Sequence, residues 1–196
     1  GMGGPFFGAL TTPLGFALNP RKYHAGLARA ARDAGAALFQ HSPVTRLAHN
    51  GTWRLETPHG TVTADRVLLA TNGYSSEDLP DWLRARYMPA QSSVIVTEPI
   101  SEELREAQGW TTRQMAYDTR FLLHYFRLLP DNRFLFGMRG GLRASAGAQR
   151  RISRMIREQF AAMFPAWREV PVSHEWAGLV CLMSRLVPFA GPVPDH

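Results

Sequence analysis

Three short extended segments, separated by tight turns and running straight into an unbroken apolar stretch, constrain this chain more than any other feature. Val44 to Ala48, Trp53 to Thr57 and Thr61 to Ala64 have strand composition. Asn50-Gly51 and His59-Gly60 place turn residues between them, so the spacing predicts a β-meander. Arg66-Val67-Leu68-Leu69-Ala70-Thr71 follows with no alternation, which predicts a strand covered on both faces. Ahead of the meander, Asn19-Pro20 reads as a helix start: Asn caps, and Pro at the first position gives up no needed hydrogen bond. Tyr23, Leu27, Ala30 or Ala31, and Ala34 share one stripe, Gly35 ends the helix, and Ala36 to Phe39 reads as a short buried strand.

Beyond Pro80 the pattern changes. Ser92 to Thr97 reads as a strand and Ser101 to Gln108 as a short helix with acidic residues in its first turn. Leu122 to Leu129 and Arg133 to Arg139 form a predicted hairpin around Pro130-Asp131-Asn132. A longer helix is expected from Ala146 to Phe164, with Ile152, Met155, Ile156, Gln159, Phe160 and Met163 inward and Pro165 as its stop. Val172 to Met183 is a last strand, before a tail rich in Pro and Gly. The expected class is α+β. Residues 3–80 are α/β pieces of one domain, 81–185 an antiparallel-sheet domain with helices, and 186–196 the start of a return to the first.

With 45% hydrophobic and 19% charged residues among 196, the chain is expected to build a globular core. No apolar run approaches membrane-spanning length, and no signal peptide pattern opens the chain, so a cytoplasmic protein is expected. The single Cys181 fits a reducing compartment and reads as a buried free thiol. The net charge is +6, with Lys22 the only lysine. No nucleic-acid motif accompanies that charge, so Arg139, Arg143, Arg150, Arg151, Arg154 and Arg157 read as a solvated surface and no nucleic acid is expected. The scattered histidines lack zinc spacing, and no catalytic triad or carboxylate pair can be singled out, so no metal ligand or catalytic side chain is assigned.

Four stretches, taken in order, carry a resemblance. They are Leu18-Asn19-Pro20-Arg21-Lys22-Tyr23 with Gly26-Leu27-Ala28; Thr61 to Gly73 with Val44-Thr45-Arg46-Leu47 before it; Tyr125-Phe126-Arg127 with Asp131 to Gly137; and Trp176-Ala177-Gly178 leading to Pro188-Phe189-Ala190-Gly191. Together they resemble the flavoprotein family that includes D-amino-acid oxidase, glycine oxidase and sarcosine oxidase, nearest to its γ-glutamylputrescine oxidoreductase branch. The family's opening G-x-G-x-x-G turn is not in this sequence: Gly1, Gly3 and Gly4 do not have its spacing. Its C-terminal Gly-rich segment is likewise absent, so the chain is expected to be a central fragment.

The resemblance implies a parent enzyme that oxidises a C–N bond of an amine or amino acid, passing hydride to FAD and then electrons to O2. It implies that Val44, Ala70, Thr71, Asn72 and Gly73 lie near the dinucleotide; read alone, Val44 is equally a meander core residue and Gly73 an ordinary turn. Tyr125 matches a substrate-binding tyrosine, and Arg127, two residues on, shares its strand face, so the two could grip a carboxylate. The plain alternative is a surface Arg beside a half-buried Tyr. Val180 stands where the family places its carboxylate-binding arginine, which points to an amine rather than a simple α-amino acid. Alone, the chain is expected to bind no FAD tightly and to be inactive. It is also expected to form a homo-oligomer across the face the missing segments would cover, with exchange of Gly3 to Leu18 as one route. The competing expectation is a non-catalytic binding or interaction module.

Overall fold

Asn19 does what its residue type suggests: its side chain accepts a hydrogen bond from Lys22 N at 3.0 Å and opens helix α1, Pro20–Asp33. Gly35, at φ +91°, lets the chain turn out of the helix. A computed structural model describes residues 1–76, 78–142 and 145–193, and the chain divides into two units. The unit that holds α1 comprises Thr12–Thr71, Ser75–Arg86 and Phe189–His196.

In that unit the meander forms as expected. Strands β1 (Arg46–Asn50), β2 (Thr52–Thr57) and β3 (Gly60–Ala64) pair antiparallel in the order β1-β2-β3. Gly51 takes φ +76° at the first turn, a conformation most side chains resist. Two expectations fail here. Ala36 to Phe39 and Arg66 to Thr71 join no ladder, and Phe39 and Leu68 are 76% and 89% exposed. An apolar run becomes a strand only when a neighbour takes its backbone N–H and C=O groups, and the described residues of this unit provide none. The stripe of α1 is likewise open: the helix has no buried residue, and Tyr23 and Leu27 are exposed.

The other unit comprises Gly1–Thr11, Asn72–Tyr74 and Tyr87–Pro188. Its strands are β4 (Tyr87–Thr97), β5 (Ala116–Tyr117), β6 (His124–Leu128), β7 (Phe134–Arg139) and β8 (Val172–Met183), ordered β5-β6-β7-β4-β8 and antiparallel throughout. Its helices are α2 (Glu102–Gln108) and α3 (Ala146–Met163), capped by Ser101 and Ser145. The α+β class therefore holds. The boundaries of β8 and α3 follow the sequence pattern closely, whereas β4 begins five residues before the expected Ser92.

One face of this sheet carries the core. Strand alternation aims Phe126, Phe134, Phe136 and Ile95 at α3, which answers with Ile156, Phe160 and Met163. Trp110 and Trp167, both fully buried, close the cluster; Trp110 meets Phe134 edge-on with ring centroids 5.1 Å apart. Each indole N–H is satisfied, Trp110 by Thr112 O and Trp167 by Leu104 O, both at 2.8 Å. Phe6, at the start of the N-terminal segment, stacks on Phe126 with ring centroids 5.7 Å apart.

A polar group on this core face escaped the sequence reading. His124, 2% exposed, lies over Phe136 and holds Asp118 Oδ2 with Nδ1 at 2.6 Å, while its Nε2 meets the Gln159 carboxamide of α3. Burial pushes the Asp118 carboxyl up, but hydrogen bonds from the His124 ring and amide, the His124 charge and the Arg120 amide outweigh it and hold the carboxyl below its usual value. A depressed folded pKa means that the carboxylate stabilises the fold fully above its unfolded value, about pH 4, and loses that contribution as pH falls through the folded value. Asp118→Asn should therefore cost about 1–3 kcal/mol at neutral pH by weakening the support of a buried imidazole. The gap in melting temperature between the two proteins should narrow on titration from pH 6 to pH 3; a pH-independent gap would contradict the assignment.

Candidate functional site

The second face of the same sheet is built differently. The register places Tyr125 opposite Gly137, Gly137 opposite Val94, and Val94 opposite Trp176, a row across four strands. Paired residues share a face, so the row has an aromatic at each end and a low floor between. Gly137 is required: a Cβ there would lie 2.2 Å from the Tyr125 ring, which lies across it. The phenol thereby reaches the β4 residue Ser92, with oxygens 2.8 Å apart. Gly178 lies opposite Ser92 in the next row and Val180 opposite Ala90 beyond that, so this part of the face is small and apolar.

Tyr125 and Arg127 lie on this face as their two-residue spacing implies, both half-buried, and Arg127 belongs to the neighbouring row with Leu135, Val96 and His174. Ser92, Gly137 and Trp176 were not singled out from the sequence as site residues. The one available signal was a glycine inside the Phe134-Leu135-Phe136-Gly137 alternation, which marks a close approach. Val180 brings no charge to the face. Cys181 is half-buried, with Sγ 3.9 Å from Met183 Sδ.

The residues assigned to the dinucleotide are placed as follows. Val44, just before β1, is 37% exposed, and Ala70 and Thr71 are exposed in the irregular stretch after β3, where the Thr71 hydroxyl contacts that of Ser75. Asn72 and Gly73 belong to a 3-10 turn in which the Asn72 carboxamide contacts Leu179 and Cys181. A dinucleotide's pyrophosphate needs free backbone N–H groups at a helix start. The N-terminus of α1 is already closed by Asn19 and Pro20, so this helix start provides no anion cradle.

Of the arginines expected to be solvated, Arg150, Arg151 and Arg154 are exposed on α3, Arg157 pairs with Glu175 at 2.6 Å, and Arg143 lies outside the described residues. Among the described residues there is no cluster able to hold a metal, and no helix is long and apolar enough to cross a membrane.

The Gly137 contact yields a direct test. Gly137→Ala should swing the Tyr125 phenol off Ser92 while the sheet persists, because the clashing atoms are the far end of one side chain. The expected cost is about 1–3 kcal/mol. The Tyr125 ring resonances should shift in NMR; an unmoved ring would refute the packing described.

The comparisons with known proteins agree with this architecture. The chain is 32% identical over 186 residues to the γ-glutamylputrescine oxidoreductase of Escherichia coli, and 34% identical over 188 residues to a probable oxidoreductase OrdL of Rhizobium meliloti. These matches cover 94% and 95% of this chain but only 43% and 42% of those proteins, so the chain spans about two-fifths of the curated relatives' length. Among solved structures, glycine oxidase from Geobacillus kaustophilus superposes with a TM-score of 0.66 at 20% identity, over 87% of this chain and 44% of that one, a likeness of fold. The family described as "DAO: FAD dependent oxidoreductase" matches residues 2–196, and the chain belongs to it.

Proposed function

We propose that this chain carries the substrate side of a flavin-dependent amine oxidoreductase. The observation that carries the reading is the Tyr125 phenol laid across Gly137 onto Ser92, on a sheet face whose row ends at Trp176. If Ser92 donates to the phenol oxygen, the Tyr125 O–H is directed to a bound substrate; if Tyr125 donates, its oxygen still accepts from an amine N–H. Arg127, on the same face, suits a carboxylate carried at some distance from the reacting carbon. Val180, apolar where the family has its arginine, favours an amine over a simple α-amino acid. The E. coli relative's printed name, a γ-glutamylputrescine oxidoreductase, supports the same substrate class. Val94 and Trp176 make the floor and one wall apolar, which excludes water and strengthens the polar contacts made there.

A flavin bound in the complete enzyme would supply the redox chemistry, uptake of hydride from the carbon bearing the nitrogen with O2 as the final acceptor. Val44, Ala70, Thr71, Asn72 and Gly73 would lie along the adenine side of FAD, the small residues permitting close approach. The capped start of α1 provides no pyrophosphate cradle, and this chain alone is proposed to hold no FAD tightly and to be inactive by itself. A cytoplasmic setting is part of the same reading.

Two measurements test it. In the flavin-loaded enzyme, Tyr125→Phe removes one hydrogen bond to a charged substrate, about 1.5–3 kcal/mol, and should raise KM for the amine roughly tenfold or more with little loss of thermal stability. Unchanged kinetics beside a lowered melting temperature would make Tyr125 structural. The exposed Phe39, Leu68 and α1 stripe favour self-association of the chain. Light scattering with absorbance detection should show an assembly larger than one chain and no flavin band. A monomer, or stoichiometric flavin absorbance, would overturn the corresponding half of this reading.

A further inference from the structure

The turn formed by Asn72, Gly73 and Tyr74 lies where a cofactor loop is proposed, yet its side chains are committed to the sheet. Strand β8 is an edge: one side pairs with β4, and among the described residues no strand covers the other. Three successive backbone groups on that open side are nevertheless satisfied. Leu179 N–H donates to the Tyr74 hydroxyl at 2.9 Å, Leu179 C=O accepts from Asn72 Nδ2 at 3.2 Å, and Cys181 N–H donates to Asn72 Oδ1 at 3.0 Å. A carboxamide that takes the C=O of one residue and the N–H two residues on does what the backbone of a neighbouring strand would do.

The residue types follow from this geometry. Asn72 sits at φ +50°, in the left-handed region that Asn tolerates better than most residues. Gly73 is buried, and a Cβ there would come within 3.0 Å of the Leu179 Cβ and 3.3 Å of the Val180 carbonyl. The turn therefore lies flat on the strand, with Asn72 and Tyr74 reaching to either side. Between the gripped residues lies Val180, and Gly178 and Trp176 precede it on the face that carries Tyr125.

We propose that Asn72 and Tyr74 are positioning residues. Their side-chain clamp fixes the outer edge of β8 and so sets where Trp176 and Val180 stand on the substrate face. The clamp itself rests on geometry alone; its consequence for substrate rests on the functional reading above.

Amide exchange and indole NMR on the purified chain decide the matter. Tyr74→Phe should speed exchange of the Leu179 amide about tenfold, the effect of losing a hydrogen bond near 1.4 kcal/mol. Asn72→Ala should do the same for Cys181. Ile95 and Phe136, in inner strands, should be unaffected. The Trp176 indole and Val180 amide resonances should move, while the indoles of Trp110 and Trp167 stay in place. In the flavin-loaded enzyme both variants should raise KM for the amine more than they change kcat, whereas simple loss of folded protein would lower kcat alone. Unchanged exchange at Leu179 and Cys181 refutes the clamp. Faster exchange with Trp176 and Val180 unmoved refutes the positioning role. Should Asn72→Ala fail to fold, Tyr74→Phe, which removes a single hydroxyl, decides alone. If the unsubstituted enzyme oxidises no amine, the functional reading fails and the exchange result still decides the clamp.

Discussion

The register of β4 is the constraint on which the sheet unit depends. This strand pairs with β7 through Ser92 to Val96 and with β8 along nearly its whole length, so it cannot shift against one neighbour without breaking both ladders. Its alternation divides two jobs. Ile95 and Thr97, both 0% exposed, belong to the face that meets α3, and the Thr97 hydroxyl also accepts from Phe134 N at 2.9 Å. Ser92, Val94 and Val96 belong to the opposite face, with Tyr125 and Trp176. A slip of one residue would carry Ile95 onto the Tyr125 face and take Ser92 away from the phenol. The same hydrogen bonds that seal the core therefore set the geometry proposed for substrate, and the aromatic cluster around Trp110 and Phe134 holds the register by making any slip expose large side chains.

What could be read from the sequence is what neighbouring residues decide among themselves. Asn19-Pro20, the Asn50-Gly51 turn, Pro165 and the two-residue spacing of Tyr125 and Arg127 each announce a local event, and each occurs where expected. Ala36 to Phe39 and Leu68-Leu69 carry strand composition as well, but a strand needs a partner that composition does not supply. The rest lay in contacts between distant residues. Ser92 and Tyr125 are 33 positions apart, and Asn72 and Cys181 are 109 apart. Asp118 and His124 are close in sequence, yet nothing in the spacing showed that the imidazole would stand between Asp118 and Gln159.

The two units also differ in what maintains them. The sheet unit buries seven large aromatic rings in one cluster and satisfies both of its buried indoles, so its stability is internal. In the unit of α1, the helix buries nothing, and Leu14, Phe16, Phe39 and Leu68 are largely exposed. Each such side chain would contribute about 1.5–3 kcal/mol on full burial. A helix of this length is marginal in water without a packed face, so caps such as Asn19 define where α1 can form but not how firmly it persists. Whatever covers that stripe gains apolar burial and stabilises the helix in the same step. Persistence of α1 thus depends on burial of that stripe, whereas the Tyr125 face stands on a sheet with a buried aromatic core of its own.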